Sequence, residues 1–245
     1  MNKHLILFAC LIGLSSCFAL KTTRQVTDFN SNWKFRLNDT AALYAPGIDD
    51  SNWRTINLPH DWSIESDFGK DFPATAGGGA LPGGLGWYRK TFSVDKADKD
   101  KRIFVEFDGV YRKSEVWVNG KFVGKRPNGY ISFRYDITPF VKIGQPNLIA
   151  VKVDNSQEPN SRWYSGSGIY RNVRLVVTNP VHVDQWGTYV TTPRINADSA
   201  EIAIQTTVKN DMTLRREVKV EQTVYNANGI VITQTDGNLI ILQGG

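Results

Sequence analysis

Cysteine is almost absent from this sequence, and both copies lie close to the N-terminus. The 245 residues contain only Cys10 and Cys17. Disulfide bonds within the body of the protein and a zinc site built from cysteine are therefore both excluded. Histidine is also scarce, and its three copies, at positions 4, 60 and 182, share no ligand spacing. We accordingly expect no metal ion and no other cofactor.

A strong excess of charge of either sign is also missing. The 29 Lys and Arg residues exceed the 24 Asp and Glu residues by a net charge of only +5. The basic clusters at 121–126 and 214–216 are too short for a nucleic-acid footprint. With 41% hydrophobic and 22% charged residues, the composition is that of an ordinary globular protein. We expect a folded protein that does not bind nucleic acid.

Long apolar runs are missing too, and the one apolar stretch near the N-terminus is short. It extends from Leu5 to Leu14, follows Lys3 and precedes two serines. This arrangement is typical of an export signal and is too short for a transmembrane helix. We predict that residues 1–20 are a signal peptide and that the protein is exported from a bacterial cell, as a periplasmic or outer-membrane protein.

Two ways of processing this signal remain open. Residues 14–17, Leu-Ser-Ser-Cys, resemble a bacterial lipobox, in which the cysteine becomes the lipidated first residue of the mature protein. The alternative is ordinary cleavage after Ala19, with Cys17 as one of the small residues before the cut. We favour the lipoprotein, with lipidation of Cys17 and membrane attachment through that lipid.

The rest of the chain alternates short strand-like runs with turns and shows no convincing amphipathic helix. Asn119-Gly120 separates two strand-like runs and predicts a type I′ hairpin, because both residues tolerate positive φ. Further strands are predicted at 103–107, 130–135, 148–153 and 173–177. Many short strands separated by turns favour an all-β fold, an antiparallel sandwich or jelly roll.

A change in composition at 178–180 predicts a domain boundary. Trp, Tyr and Gly are dense before it, whereas the later residues show simpler strands at 181–190, 201–208, 218–225 and 230–235, with a hairpin loop at 226–229. An immunoglobulin-like sandwich needs about seven strands and 100 residues, and only four or five strands are predicted here. We expect a jelly-roll domain at 21–180 and a partial immunoglobulin-like domain at 181–245.

No arrangement of residues typical of a catalytic site is present. The sequence contains no Gly-x-Ser-x-Gly, no phosphate-binding loop and no His-Glu-x-x-His. Glycoside cleavage uses two carboxylates facing each other across a sugar, and the sequence singles out no such pair. We predict no catalytic residue in this chain.

Three segments, at 58–62, 76–90 and 160–171, instead combine aromatic residues with glycine or proline. Sugars are bound by flat aromatic faces with polar groups at the rim, so a ligand pocket is one interpretation. The other is that glycine provides turns while tryptophan packs in the core. We favour a structural role for His60 and a core position for Trp33, Trp53, Trp62, Trp87 and Trp117. For Arg162-Trp163-Tyr164 both interpretations stay open.

Taken in chain order, these segments resemble the N-terminal part of glycoside hydrolase family 2, which includes β-galactosidases, β-glucuronidases and β-mannosidases. The Gly-rich approach to Trp87 and the Arg162-Trp163-Tyr164 run are most similar to the β-galactosidase-type members. The resemblance covers nearly all of the chain after residue 28. The matching runs are 29–35, Trp53, 58–62, 86–92, 107–110, 116–120, 123–124, 147–151 and 162–173.

The resemblance implies an architecture and an activity. Family members begin with a jelly-roll sugar-binding domain, continue with an immunoglobulin-like domain and carry both catalytic Glu residues of a retaining glycosidase on a (β/α)₈ barrel. A barrel needs about 200–250 residues, far more than the 65 or so that follow residue 180. We therefore expect the N-terminal part of a secreted β-galactosidase-type hydrolase, inactive alone, whose partners are a β-linked sugar and the C-terminal barrel of the same polypeptide.

One departure from the family affects the expected site. Several members carry an acid six residues before the glycine of the Gly-Ile-aromatic-Arg run, where it contacts sugar or a cation. Here that position is Arg162, so the resemblance gives no basis for a sodium site. An acidic sugar stays open as an alternative substrate. We predict Arg162, Trp163 and Tyr164 as the substrate-binding residues. A stand-alone carbohydrate-binding module without catalytic activity is the alternative function, and a purely structural β domain is a third.

Overall fold

The structure, a computed structural model, describes residues 23–37 and 43–241. The predicted signal peptide at 1–20 and the predicted lipidation site Cys17 lie outside these residues. Within the described ranges, no helix is both long and apolar enough to cross a membrane.

Fourteen strands and four three-residue 3-10 helices make up the regular structure of this part of the chain. The strands are β1 Arg24–Asp28, β2 Trp33–Leu37, β3 Arg54–Ile56, β4 Gly84–Ser93, β5 Arg102–Phe107, β6 Ser114–Val118, β7 Lys121–Arg126, β8 Phe133–Asp136, β9 Pro146–Asn155, β10 Val173–Thr178, β11 Val181–Ile195, β12 Ala200–Asn210, β13 Arg216–Tyr225 and β14 Val231–Ile241. The 3-10 helices are Ser63–Glu65, Ala76–Gly78, Lys96–Asp98 and Thr138–Phe140.

Strands β1 to β10 form a jelly-roll sandwich of two antiparallel sheets. One sheet has the order β1-β10-β5-β8 and the other the order β3-β2-β4-β9-β6-β7. Several neighbours in both sheets are distant in sequence, as when β10 pairs with β5 and β4 with β9. This crossing of connections between sheets agrees with the all-β fold that the sequence predicts.

The side chains between the two sheets form one continuous core. Trp33, Val105 and Val151 are completely buried in it. Alternating residues of β5 point inward, as the period of a strand requires. The predicted core positions of Trp33, Trp53, Trp62, Trp87 and Trp117 are confirmed, since each is at most 8% exposed.

The outer face of the six-stranded sheet is covered as well. Trp53, Trp87 and Trp117 form a second apolar cluster there. Beside it, Arg89 is 1% exposed and donates hydrogen bonds to the carboxylate of Asp50 and to the carbonyl oxygens of Leu43, Ala45 and Ile48. The buried guanidinium thereby holds the segment 43–50 against the sheet.

The predicted hairpin at Asn119-Gly120 is confirmed, with φ values of 52° and 79°. The strand predicted at 130–135 is partly wrong. Strand β8 begins only at Phe133, because residues 127–132 form a loop in which the Tyr130 amide donates to the Asn128 side chain. This loop places Tyr130 close to the candidate site.

The last four strands form two antiparallel hairpins, β11–β12 and β13–β14, in the range where the sequence predicts a second unit. All four predicted strands of this unit are present, and β11 and β14 are longer than expected. Ion pairs connect the unit to the jelly roll. The Arg134 guanidinium pairs with Asp184, and Arg102 Nε lies 3.3 Å from Asp211 Oδ2.

Candidate functional site

The three segments that combine aromatic residues with glycine or proline meet at one place. The His60 amide donates to the Ile169 carbonyl oxygen at 2.9 Å, and the Trp62 amide donates to that of Ser167 at 3.1 Å. The indole N–H of Trp62 donates to the carbonyl oxygen of Gly83 at 3.0 Å. The 58–62 segment is therefore hydrogen-bonded to both of the other segments. The sequence alone did not indicate these contacts.

Asp61 lies at the centre of this meeting point. Its Oδ1 accepts the backbone N–H of Ser63 at 3.0 Å and that of Ser167 at 2.8 Å. Its Oδ2 accepts the phenol hydroxyl of Tyr164. One half-buried carboxylate thus connects the 58–62 segment to the 160–171 segment.

Two glycines allow the close approach of these segments. Gly166 has φ of 69°, and a Cβ there would lie 2.6 Å from Asp61 Oδ2. Gly79 has φ of 99°, and a Cβ there would lie 3.0 Å from Tyr164 Cδ2. A side chain at either position would therefore force the Asp61–Tyr164 contact apart.

Tyr164 is held by these contacts while much of its ring stays accessible, with 42% of the residue exposed. Burial of the hydroxyl, followed by its hydrogen bond to Asp61, raises the pKa of Tyr164 above its usual value. The phenol therefore remains a protonated donor at neutral pH.

Trp163 is exposed but anchored. It is 60% exposed, and its indole N–H donates to the Tyr130 hydroxyl at 3.0 Å. Tyr130 in turn packs edge-on against Tyr111, with ring centroids 5.3 Å apart. Burial acts to raise the pKa of Tyr130, but the hydrogen bonds of its hydroxyl, led by that of Trp163, outweigh burial and lower it. The result is an indole ring that faces solvent in a fixed orientation.

Arg162 directly precedes Trp163 in the chain and is exposed. Across residues 23–37 and 43–241, its guanidinium has no hydrogen bond and no ion pair. Its donors are therefore not engaged by any of these residues. The structure thus brings the predicted residues Arg162, Trp163 and Tyr164 to one accessible loop, although only the last two are held by side-chain contacts.

His60 has the structural role that the sequence favoured. It is 8% exposed, and its ring nitrogens lie 2.8 Å from the Tyr88 hydroxyl and 3.2 Å from Glu65 Oε1. Glu65 also accepts two hydrogen bonds from Arg54. Burial lowers the pKa of His60, with the neighbouring Glu65 acting in the opposite direction. These contacts occupy both nitrogens, so His60 supports the site without facing a ligand.

The arrangement suits binding rather than bond cleavage. The carboxylates of Asp61 and Glu65 both hold other parts of the chain. Among the described residues, no group of three His, Cys, Asp or Glu side chains is placed to hold a metal ion. What remains for a ligand in this part of the chain is the exposed aromatic surface of Trp163 and Tyr164 and the unpaired donors of the exposed Arg162.

Sequence reasoning missed two residues of this site. Asp61 lies within the 58–62 segment but is not singled out by the sequence analysis, although an Asp that can accept the N–H two residues later is a common turn signal. Tyr130 was assigned to a strand. Only its position after Asn128-Gly129, a turn-forming pair, could have indicated a loop.

Comparison with known proteins gives this geometry a context. Residues 26–180 match the family described as "Glycosyl hydrolases family 2, sugar binding domain". The matched range contains the jelly-roll strands from β2 to β10 and the whole candidate site.

Individual relatives belong to the same family. The chain is 51% identical to "Beta-galactosidase BoGH2A" of Bacteroides ovatus, over 95% of this chain and 29% of the relative. It is 30% identical to a "Beta-glucuronidase" of Formosa agariphila, over 90% of this chain and 25% of the relative. A crystal structure of a glycosyl hydrolase family 2 member from Bacteroides cellulosilyticus shares 41% identity and a TM-score of 0.85, over 88% of this chain and 28% of that one. The chain thus spans less than a third of the length of these proteins.

Proposed function

The chain belongs to glycosyl hydrolase family 2, and on that premise we propose that it supplies the sugar-binding domain of a larger, secreted glycosidase of the β-galactosidase type. In that enzyme the two catalytic Glu residues of a retaining mechanism would lie on a separate barrel domain, which splits β-linked O-glycosyl bonds. The jelly roll would border the active site through residues 160–168.

One observation carries the assignment of the binding loop, namely that Trp163 is exposed yet fixed. An indole ring left in solvent loses the stabilisation that burial would give it. Here the hydrogen bond from the Trp163 N–H to the Tyr130 hydroxyl, 3.0 Å long, holds the ring facing solvent. A rigid aromatic face loses little entropy when a ligand stacks on it. Together with the guanidinium donors of Arg162, unpaired among the described residues, and the exposed ring of Tyr164, this face has the composition of a sugar-binding surface.

The relatives carry the names of both β-galactosidases and β-glucuronidases, and of these two substrate classes we propose a galactoside. The 51% identical protein of Bacteroides ovatus carries the name of a β-galactosidase. The more distant Formosa agariphila protein carries that of a β-glucuronidase. A free guanidinium at Arg162 would also suit the carboxylate of an acidic sugar, so galactosides and glucuronides belong in the same binding assay.

The test is titration of the purified chain with β-galactoside and β-glucuronide oligosaccharides by calorimetry. We expect a saturable signal that Trp163→Ala weakens by about fivefold or more, because an aromatic contact is lost. Trp186→Ala is the matched control, since Trp186 is 75% exposed but belongs to the second unit. Equal affinity of the wild-type chain and Trp163→Ala for every sugar bound would refute this binding site.

The larger enzyme needs a separate test. Reading the DNA downstream of codon 245 in all three frames should reveal a barrel with two Glu residues placed as a retaining pair. In that protein, Arg162→Ala should lower kcat/KM towards the natural sugar. An unchanged kcat/KM would remove Arg162 from the site.

Export and lipid attachment at Cys17 complete the proposal. The apolar stretch from Leu5 to Leu14 after Lys3 supports export, and the sequence 14–17 supports lipidation. Metabolic labelling with a palmitate analogue should mark the protein and should fail on Cys17→Ser. Equal labelling of both forms, or labelling of neither, would contradict lipidation and leave ordinary signal cleavage.

A further inference from the structure

We propose that Asp61 is the positioning residue of the 160–168 loop, holding Tyr164 and therefore Trp163 and Arg162 where a sugar can reach them. The inference deepens the proposed function and rests on it for the identity of the ligand. Its structural part, that one carboxylate sets the position of the loop, stands separately.

The pattern of hydrogen bonds supports this role. Of the three donors to Asp61, only Ser63 is local, and the other two, Ser167 and Tyr164, lie more than a hundred positions along the chain. These two donors belong to the loop that carries the predicted binding residues. The carboxylate therefore connects a loop of irregular backbone to the sandwich at two points.

The charge of Asp61 is satisfied without a cation. Within residues 23–37 and 43–241 Asp61 forms no ion pair, whereas the nearby Glu65 pairs with Arg54 at 2.7 Å. Hydrogen bonds to an ionised acceptor are roughly twice as strong as neutral ones. Because Asp61 has two N–H donors and one O–H donor, it works as an anchor for the backbone rather than as an acid facing substrate.

The close packing around Asp61 and Tyr164 also supports a positioning role for Asp61. Gly166 and Gly79 leave space only for the carboxylate and the Tyr164 ring, with a Cβ at those positions 2.6 Å and 3.0 Å from them. Tyr164 is thus held between Asp61 and the Gly-rich 76–80 segment. Trp163 precedes it directly, so movement of Tyr164 would displace the indole from its bond with Tyr130.

Asp61→Asn tests the proposal with little change in volume. The amide keeps an oxygen for the Ser167 N–H but loses the negative charge that holds the Tyr164 hydroxyl. Tyr164→Phe removes that one bond and serves as the second variant if Asp61→Asn fails to fold. Asp67→Asn is the matched control, because Asp67 is an exposed acid of the adjacent loop and the charge change is identical.

The first measurement follows the loop without any ligand. In protein labelled with 5-fluorotryptophan, the Trp163 resonance, assigned with Trp163→Phe, should shift or broaden in Asp61→Asn and in Tyr164→Phe. It should stay unchanged in Asp67→Asn. An unchanged Trp163 resonance in both site variants would overturn the positioning role, whatever the sugar affinity.

The second measurement is the affinity for the best-binding oligosaccharide of the calorimetric assay. Asp61→Asn should weaken binding by about tenfold and Tyr164→Phe by about threefold, as expected for a lost charge-assisted and a lost single hydrogen bond. Asp67→Asn should stay within about twofold of wild type. Equal affinities of Asp61→Asn and Asp67→Asn would refute the link between Asp61 and the ligand. Absence of binding by the wild-type chain would refute the proposed function instead, and the fluorine resonance would still decide the role of Asp61.

Discussion

Strands β1 to β10 and strands β11 to β14 pair equally well, but only the first set encloses a core. In the jelly roll, side chains such as Trp33 and Val105 are completely buried. Between Val181 and Ile241, by contrast, the buried residues are His182, Asn210 and Ile241. Complete strand pairing therefore does not by itself produce a buried core in this protein.

The second unit shows what pairing without a closed core looks like. Its hairpins alternate apolar and polar residues, yet Ile202 and Val190 are 42% and 55% exposed. A cleft of about 490 Å³ lies between the two hairpins, lined by residues that include Ile204 and Val224. The apolar faces oppose each other without interdigitating, so the unit gains little of the free energy that dense packing gives.

The largest effect should come from the jelly-roll core. Trp33→Ala removes a side chain with 0% exposure and its hydrogen bond to Phe29, and we expect a loss of about 4 kcal/mol in the free energy of unfolding. Urea denaturation followed by circular dichroism measures it, with Trp186→Ala as the exposed control. A loss below about 1 kcal/mol would show that the core is less closed than the structure indicates.

The second-largest effect concerns the outer face of the same sandwich. Arg89→Met removes the hydrogen bonds of its guanidinium to Asp50 and to three backbone carbonyl oxygens, so we expect a loss of about 3 kcal/mol in the free energy of unfolding. Arg194→Met is the control in the second unit, where the Arg194 side chain is 86% exposed. Equal denaturation midpoints for both variants would disprove the role of Arg89.

A smaller effect should follow pH. Burial lowers the pKa of both His60 and His182 from the ordinary value of 6.5. The unfolded chain therefore binds protons more readily than the folded one, so stability is full above 6.5 and is lost as pH falls towards the folded pKa values. His60→Gln and His182→Gln should each flatten this dependence in denaturation curves measured between pH 7.5 and 5.5. If the double variant keeps the wild-type slope, other groups are responsible.

The smallest effect should come from the open face of the second unit. Ile202→Ala should change the free energy of unfolding by no more than about 0.5 kcal/mol, because the side chain has few neighbours to lose. Ile103→Ala, at a position with 0% exposure, is the control and should cost about 3 kcal/mol. A loss at Ile202 equal to that at Ile103 would mean that the second unit is packed in solution, for example against another copy.

The sequence was informative where structure depends on neighbours along the chain. Asn119-Gly120 predicted its hairpin because both residues must adopt positive φ locally. The apolar pattern of β5 and the burial of the tryptophans followed from composition and period alone. Trp163 and Tyr164 were predicted as binding residues because large residues beside a Gly-rich turn are unusual, and the structure shows both to be exposed.

The remaining features depend on contacts that no local pattern encodes. Asp61 and Tyr130 acquire their roles from Tyr164 and Trp163, and nothing near either residue signals those partners. In the sequence, Arg89 looks like any charged residue of a strand. Its four hydrogen-bond acceptors lie some forty positions away along the chain. Such partners become visible only once the sheets are assembled.

The separation of these partners has a consequence for the order of folding. Asp61 meets Tyr164 and Ser167 across 103 and 106 positions of the chain, whereas the hairpin β6–β7 closes over a two-residue turn. Contacts between distant positions form slowly, because closing a long loop lowers the entropy of the chain before any contact stabilises it. We therefore expect the hairpins to form early and the 160–168 loop to reach its place among the last events, so that the proposed sugar binding would report a completed fold.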